Sequence, residues 1–352
     1  MTLDELTAGI MPADENARRA CRAKWDDVAK PLGSFGALED MTAQIAAVQG
    51  TPDVDISRRR CVVFCADHGV VEEGVTQTGS DVTAICAKAI AEGTSNVNAI
   101  AASVGCEVTA VDIGMCSDVC ADGLLNRKIA YGTRNFTKHP AMTRDECERA
   151  LLTGAALAGE FQAQGCSMLL TGEMGIGNTT PTAALAAFFL RQPASQLTGR
   201  GAGLSDAGFS RKIEAIQTAL SLHHPDPNDP VGILAALGGL EIAGMAGLYL
   251  GGAYHRIPVV IDGVISAAAA VAAAKICPCS VQFMLASHAS DEPAGEGLLH
   301  LLGLRPVIQA GLRLGEGTGG LLLLPLLDAA LSLYRRAHRF DSLPFERYTP
   351  QC

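Results

Sequence analysis

Ser167-Met168-Leu169-Leu170-Thr171-Gly172-Glu173-Met174-Gly175-Ile176-Gly177-Asn178-Thr179-Thr180-Pro181 decides the fold class. Its first five residues form a short apolar run of the kind that is buried on both faces as a parallel strand. A glycine-rich loop follows, and an alanine-rich helix begins near Pro181. A strand that ends in glycines and feeds a helix is the unit of an α/β protein. The same arrangement makes a phosphate cradle: glycines free backbone N–H groups, Asn178 or the threonines cap the helix, and Pro181 suits its first turn. No lysine follows as in a Walker loop, and the glycines are out of register with the dinucleotide fingerprint. An ordinary glycine-rich strand-to-helix turn therefore stays open beside the cradle.

The flanking sequence repeats the unit. Arg58-Arg59-Arg60 leads into a buried strand, Cys61 to Ala66, ending in Asp67-His68-Gly69-Val70. Val82 to Val104 has the pattern of a helix, and Glu107 to Asp112 that of a second strand. That order implies a right-handed crossover and parallel pairing. Lys128 to Tyr131, Pro258 to Asp262 and Val281 to Ala286 are further strands. Met142 to Gln164 is a helix with Thr143 as N-cap and Glu146 closing a capping box; Val264 to Lys275 is another. Ahead of the sheet, Ala17 to Ala29 and Leu38 to Val48 have helical spacing and are separated by a loop from Lys30 to Gly36. They form a small helical subdomain or an arm packed on the sheet.

Composition limits the function. At 352 residues the chain has room for one large domain and a smaller one. Hydrophobic residues at 48% against 18% charged, with 38 glycines and few aromatics, suit a glycine-rich α/β enzyme better than a β-sandwich. A net charge of −10 argues against a nucleic-acid surface, which needs clustered cations. Ile233 to Ala253 is apolar over a membrane-like length, but Glu241 and six glycines interrupt it, so it is expected to be a buried core helix. Met1 to Ala13 lacks the apolar core of a signal peptide, which points to the cytoplasm. The twelve cysteines include no Cys-x-x-Cys pair and are expected as free thiols, with Cys61 and Cys65 on one strand face.

Candidate site residues gather at strand ends and glycine loops. In open α/β sheets ligands collect at the carboxyl ends of the strands, where Asp67, His68, Asp112, Asp262 and His288 stand. Glu72 and Glu73 beside Asp67 and His68 raise a metal site, although spacing alone does not show convergence of ligands. Gly199 to Ser205 is a second glycine loop, before a helix placed near Ser210 with Arg211 and Lys212 in its first turn. Cations there oppose the helix dipole, and an anionic ligand or water would compensate them. Arg313-Leu314-Gly315-Glu316-Gly317-Thr318-Gly319-Gly320 exposes one acid between glycines at a helix entrance. Glu316 is the leading catalytic candidate; a solvated first-turn acid is the alternative.

Taken in order, Lys30 to Gly36, Ala66 to Val70, Val111 to Gly114, Gly172 to Pro181, Asp262-Gly263, Ser287-His288 and Arg313 to Gly319 resemble the nicotinate-nucleotide:dimethylbenzimidazole phosphoribosyltransferase family over nearly the whole chain. The resemblance implies a homodimer with a Rossmann-like parallel sheet flanked by helices and a smaller helical domain drawn from both chain ends. The corresponding divisions are 1–57, 58–310 (the α/β phosphoribosyltransferase domain) and 311–352 (the catalytic glycine loop and C-terminal helix). It implies transfer of 5-phosphoribosyl from nicotinate mononucleotide to 5,6-dimethylbenzimidazole or a related base. The products are alpha-ribazole 5'-phosphate and nicotinate, a step of cobamide lower-ligand assembly with no metal or organic cofactor. Glu316 becomes the general base and Glu173 a group near the ribose or base. Thr78, Gly175, Gly177, Asn178, Thr179, Thr180, Lys212, Asp262, Ser287 and Gly315 become substrate-binding residues. Cys86 stands where the family often has glutamine, and the loop Thr76 to Ser80 also departs from it, which bears on base choice. A nucleotide N-glycosidase and a non-catalytic nucleotide-binding protein are the readings from other classes. Adding a base acceptor to the assay separates the first, and the presence of Glu316 argues against the second.

Overall fold

The computed structural model describes residues 1–344 and 346–348. Six strands form one sheet: β1 Arg59–Ala66, β2 Glu107–Gly114, β3 Leu124–Asn126, β4 Met168–Met174, β5 Val259–Ile261 and β6 Met284–Ala286. All neighbours are parallel, in the order β3-β2-β1-β4-β5-β6. This is the doubly wound order, and it reverses between β1 and β4, so a crevice opens beyond the carboxyl ends of those two strands. A separate parallel pair, β7 His288–Ser290 and β8 Ile308–Leu312, stands beyond β6.

The two-residue period of β1 sorts its side chains into two cores. Val62, Phe64 and Ala66 enter one, while Cys61, Val63 and Cys65 enter the other. The first core is covered by helices that include Arg144–Ala163 and Leu240–His255. Those two helices lie backbone to backbone, because a Cβ at Gly154 would strike the Gly244 carbonyl and one at Gly247 the Leu151 carbonyl. Gly244, Gly247 and Gly251, three of the glycines that broke the apolar run of Ile233 to Ala253, are thus a packing surface. The second core is covered by helices from both chain ends. Trp25 of Glu15–Asp26 lies 5.1 Å, centroid to centroid, from Tyr334 of Thr318–Arg336. Ala29 N–H donates to the His338 carbonyl at 2.9 Å.

Several boundaries differ from the sequence expectation. Val82 to Val104 is two helices, Asp81–Ala91 and Asn96–Ser103, because Gly93 takes a left-handed turn and Ser95 with Asn98 caps a new start. Ile233 to Ala253 is likewise split, into Pro230–Leu237 and Leu240–His255, at Gly238 and Gly239. The short strand lies at Leu124–Asn126, upstream of Lys128 to Tyr131, and Lys128 turns its ammonium to the Ser117 carbonyl and Asp118. Pro278 starts a 3₁₀ turn, Pro278–Phe283, which delays the last strand of the sheet to Met284. The helix placed near Ser210 starts at Asp206 with Ser205 as its cap, so Arg211 and Lys212 lie in its second turn, away from the amides that would repel them. Eleven described cysteines are free thiols, six of them buried; Cys352 lies outside the described residues.

Candidate active site

A cavity of about 260 Å³ opens in the crevice. Its wall carries Glu173 and the loop Gly175 to Thr179 after β4, Lys212, Asp262 after β5, His288, and Gly315-Glu316. The residues bracketing the cavity come from distant parts of the chain. Thr78 lines the side nearest the 76–80 loop, which Gln77 ties across to the Ala202 and Gly203 carbonyls. Among the described residues, no group of three His, Cys, Asp or Glu side chains is arranged to hold a metal ion.

Lys212 is buried, and its ammonium donates to Thr179 Oγ1 at 2.8 Å and to the Gly199 carbonyl at 3.0 Å. Burial pushes its pKa down to about 8, with Glu292 acting the other way. It therefore joins the two glycine loops with a cation facing the cavity. The backbone cradle is smaller than the sequence suggested. The Asn178 and Thr180 amides bond the Gly175 and Gly177 carbonyls, and the Ile176 amide donates to Thr83 Oγ1. The Thr180 hydroxyl is buried without a partner and does not reach the cavity wall.

Glu316 sits at φ +61° between two left-handed glycines, Gly315 and Gly317. Its carboxylate Oε2 accepts the Val97 N–H at 3.3 Å, at the start of Asn96–Ser103, where the helix dipole favours a negative charge. Burial raises its pKa, the Val97 and Asn96 bonds oppose that, and the Asp262 charge adds to it. Behind it, a Cβ at Gly172 would come within 2.5 Å of the Glu316 carbonyl oxygen, so only glycine lets β4 and the loop approach this closely. Glu173 is buried and its carboxyl is held well above the usual range. Burial is the main cause, the Asp262 and Glu241 charges add to it, and Asn178 opposes it.

Asp262 takes the Gly317 N–H on one oxygen and the Gly320 N–H on the other. The Ser287 hydroxyl is fully buried and donates to the Ile261 carbonyl at 2.6 Å. It therefore accepts from His288 Nδ1, 3.0 Å away, and lies behind the cavity wall. Nδ1 therefore carries a proton, and burial lowers the His288 pKa while the Asp262 charge opposes that. Asp67 and His68 also lie off the cavity. Asp67 accepts the Cys116 N–H at 2.8 Å. His68 Nε2 lies 2.9 Å from Glu241, near enough for a charge pair but out of line for a hydrogen bond. Glu72 and Glu73 turn to Asn135, Thr137 and Lys138.

A family model described as phosphoribosyltransferase matches residues 10–343. The nicotinate-nucleotide:dimethylbenzimidazole phosphoribosyltransferase of Acetivibrio thermocellus is 40% identical over 93% of both chains. The one from Geobacter sp. strain M21 is 42% identical over 96% of this chain and 97% of its own. The chain belongs to this phosphoribosyltransferase family. The crystal structure of CobT from Thermus thermophilus superposes with a TM-score of 0.89 at 38% identity, covering 95% of this chain and all of that one. Within the family fold, Asn96, Val97 and Thr83 are site neighbours that reading the sequence did not single out. The Ser95-to-Asn98 capping box was the available signal, and it was hidden inside a stretch that looked like one continuous helix.

Proposed function

We propose that the chain transfers 5-phosphoribosyl from nicotinate mononucleotide to 5,6-dimethylbenzimidazole or a related base, giving alpha-ribazole 5'-phosphate and nicotinate for cobamide lower-ligand assembly. The observation that carries this is one cavity with a buried cation, Lys212, and a single half-buried carboxylate with a raised pKa, Glu316, on its wall. Nicotinate mononucleotide already holds a pyridinium leaving group. Its ring nitrogen takes the electron pair of the C1'–N bond and departs without needing a proton. The incoming benzimidazole nitrogen attacks C1' from the opposite face, inverting β to α, and the ring's other N–H proton goes to the Glu316 carboxylate. One base balances the reaction.

Lys212, with Thr179 beside it and the Gly175, Gly177 and Asn178 loop, holds the phosphate. Glu173, its carboxyl raised by burial, stands beside the ribose or base, and Gly315 leaves the approach to Glu316 open. No metal or organic cofactor takes part in this scheme. The enzyme acts as a homodimer in the cytoplasm; no described helix is long and apolar enough to cross a membrane. Incubation with nicotinate mononucleotide and a panel of bases, with products identified by mass, tests the reading. Ribose phosphate and nicotinate in place of a new ribotide would make the chain a glycosidase, and bound but unchanged substrate would make it a binding protein.

Base choice follows from the side of the cavity lined by Thr78, which offers little bulk; Cys86 is not on the cavity wall, although the Glu316 charge reaches it. An apolar surface gains only about 1 to 3 kcal/mol from a methylene-sized group. Benzimidazole and 5,6-dimethylbenzimidazole are expected to react within about a hundredfold of each other in kcat/KM. Purines are expected to be slower, because each ring nitrogen buried without a partner costs about 1 to 3 kcal/mol. Competition between mixed bases measures this directly, and a purine that outcompetes both benzimidazoles would refute it.

A further inference from the structure

The Thr318–Arg336 helix begins on Gly317, which has no side chain to cap its first turn. Its cap comes from elsewhere in the chain. Asp262, at the end of β5, accepts the Gly317 N–H on Oδ2 at 3.1 Å and the Gly320 N–H on Oδ1 at 2.9 Å. The Asp262 side chain is buried, and both its oxygens are committed to this turn. Glu316 precedes the capped turn and holds φ +61°, a region disfavoured for any residue with a Cβ. Such a conformation persists only when the surroundings hold it.

We infer that Asp262 is a positioning residue: it caps the C-terminal helix from another strand and thereby keeps Glu316 in the left-handed conformation that presents its carboxylate to the cavity. This rests on Glu316 being the base. The groups facing Asp262 are Glu173 from β4, Cys61 from β1, Tyr249 from Leu240–His255, His288 from β7, and Glu316 itself. Of these, Glu316 is the one whose titration the reaction depends on, and the Asp262 charge pushes it upward.

Asp262→Asn keeps the shape but leaves one oxygen to accept and turns an NH₂ against the second amide. The variant is expected to lose about 10- to 100-fold in kcat, as a displaced catalytic group does, with KM for nicotinate mononucleotide within about threefold of the parent. In a Glu316→Gln background the same substitution should add little, because both changes act through one group. A raised KM at unchanged kcat would make Asp262 a substrate ligand instead. A full independent loss in the Glu316→Gln background would also overturn the inference. If Glu316→Gln alone turns over normally, the base assignment fails, and with it this role for Asp262. Wild-type protein supplies a test that needs no variant: the Gly317 and Gly320 amide protons should resist hydrogen exchange, and exchange at open-loop rates would show that no clamp exists.

Discussion

Glu316→Gln is expected to lower kcat by about 10²- to 10⁴-fold, roughly 3 to 5 kcal/mol in the barrier, while nicotinate mononucleotide still binds. Glutamine retains the shape and an oxygen that can accept the Val97 N–H, so the loop should stay where it is. What it loses is the ability to take the proton from the benzimidazole. The pH profile gives the matching control. Burial, with the Asp262 charge adding to it, raises the Glu316 pKa, and a base works only when deprotonated. Activity of the parent should therefore rise with pH through a value above the ordinary 4.5 of glutamate and fall away below it. The residual activity of Glu316→Gln should lack that limb. Steady-state kinetics with calorimetric binding measures both, and near-normal turnover by the folded variant would remove Glu316 from the chemistry.

Lys212→Ala is expected to weaken nicotinate mononucleotide by about 10- to 150-fold, the equivalent of the 1.5 to 3 kcal/mol of a charge-assisted hydrogen bond. The nucleoside that lacks the phosphate should lose far less. The control matters because Lys212 also bonds Thr179 and the Gly199 carbonyl, so its removal loosens both loops. Equal losses for the two ligands would assign the lysine to that structural task. The pH dependence has a definite sign. With its pKa lowered to about 8, free Lys212 loses its charge as the pH rises past that value, so affinity for the phosphate-bearing ligand should decline there and that for the nucleoside should not.

The sequence alone determined what depends on neighbouring residues. Apolar runs ending in glycine identified β1, β2 and β4, and their alternation with helices implied a parallel sheet with ligands at its carboxyl edge. The Thr143 and Glu146 capping box was also legible, because its hydrogen bonds close within four residues. The glycines on either side of Glu316 mark the acid in the sequence alone. Tertiary structure decided which groups meet. Asp262 and the Gly317 amide are 55 positions apart, and Val97 and Glu316 are 219 apart, so no local pattern records either contact. It also decided how charges are set. The same carboxyl group is a solvated acid, a buried acid with a strongly raised pKa such as Glu173 or the half-buried proposed base Glu316, according to how far burial removes water and which amides replace it, and only the folded chain supplies that environment.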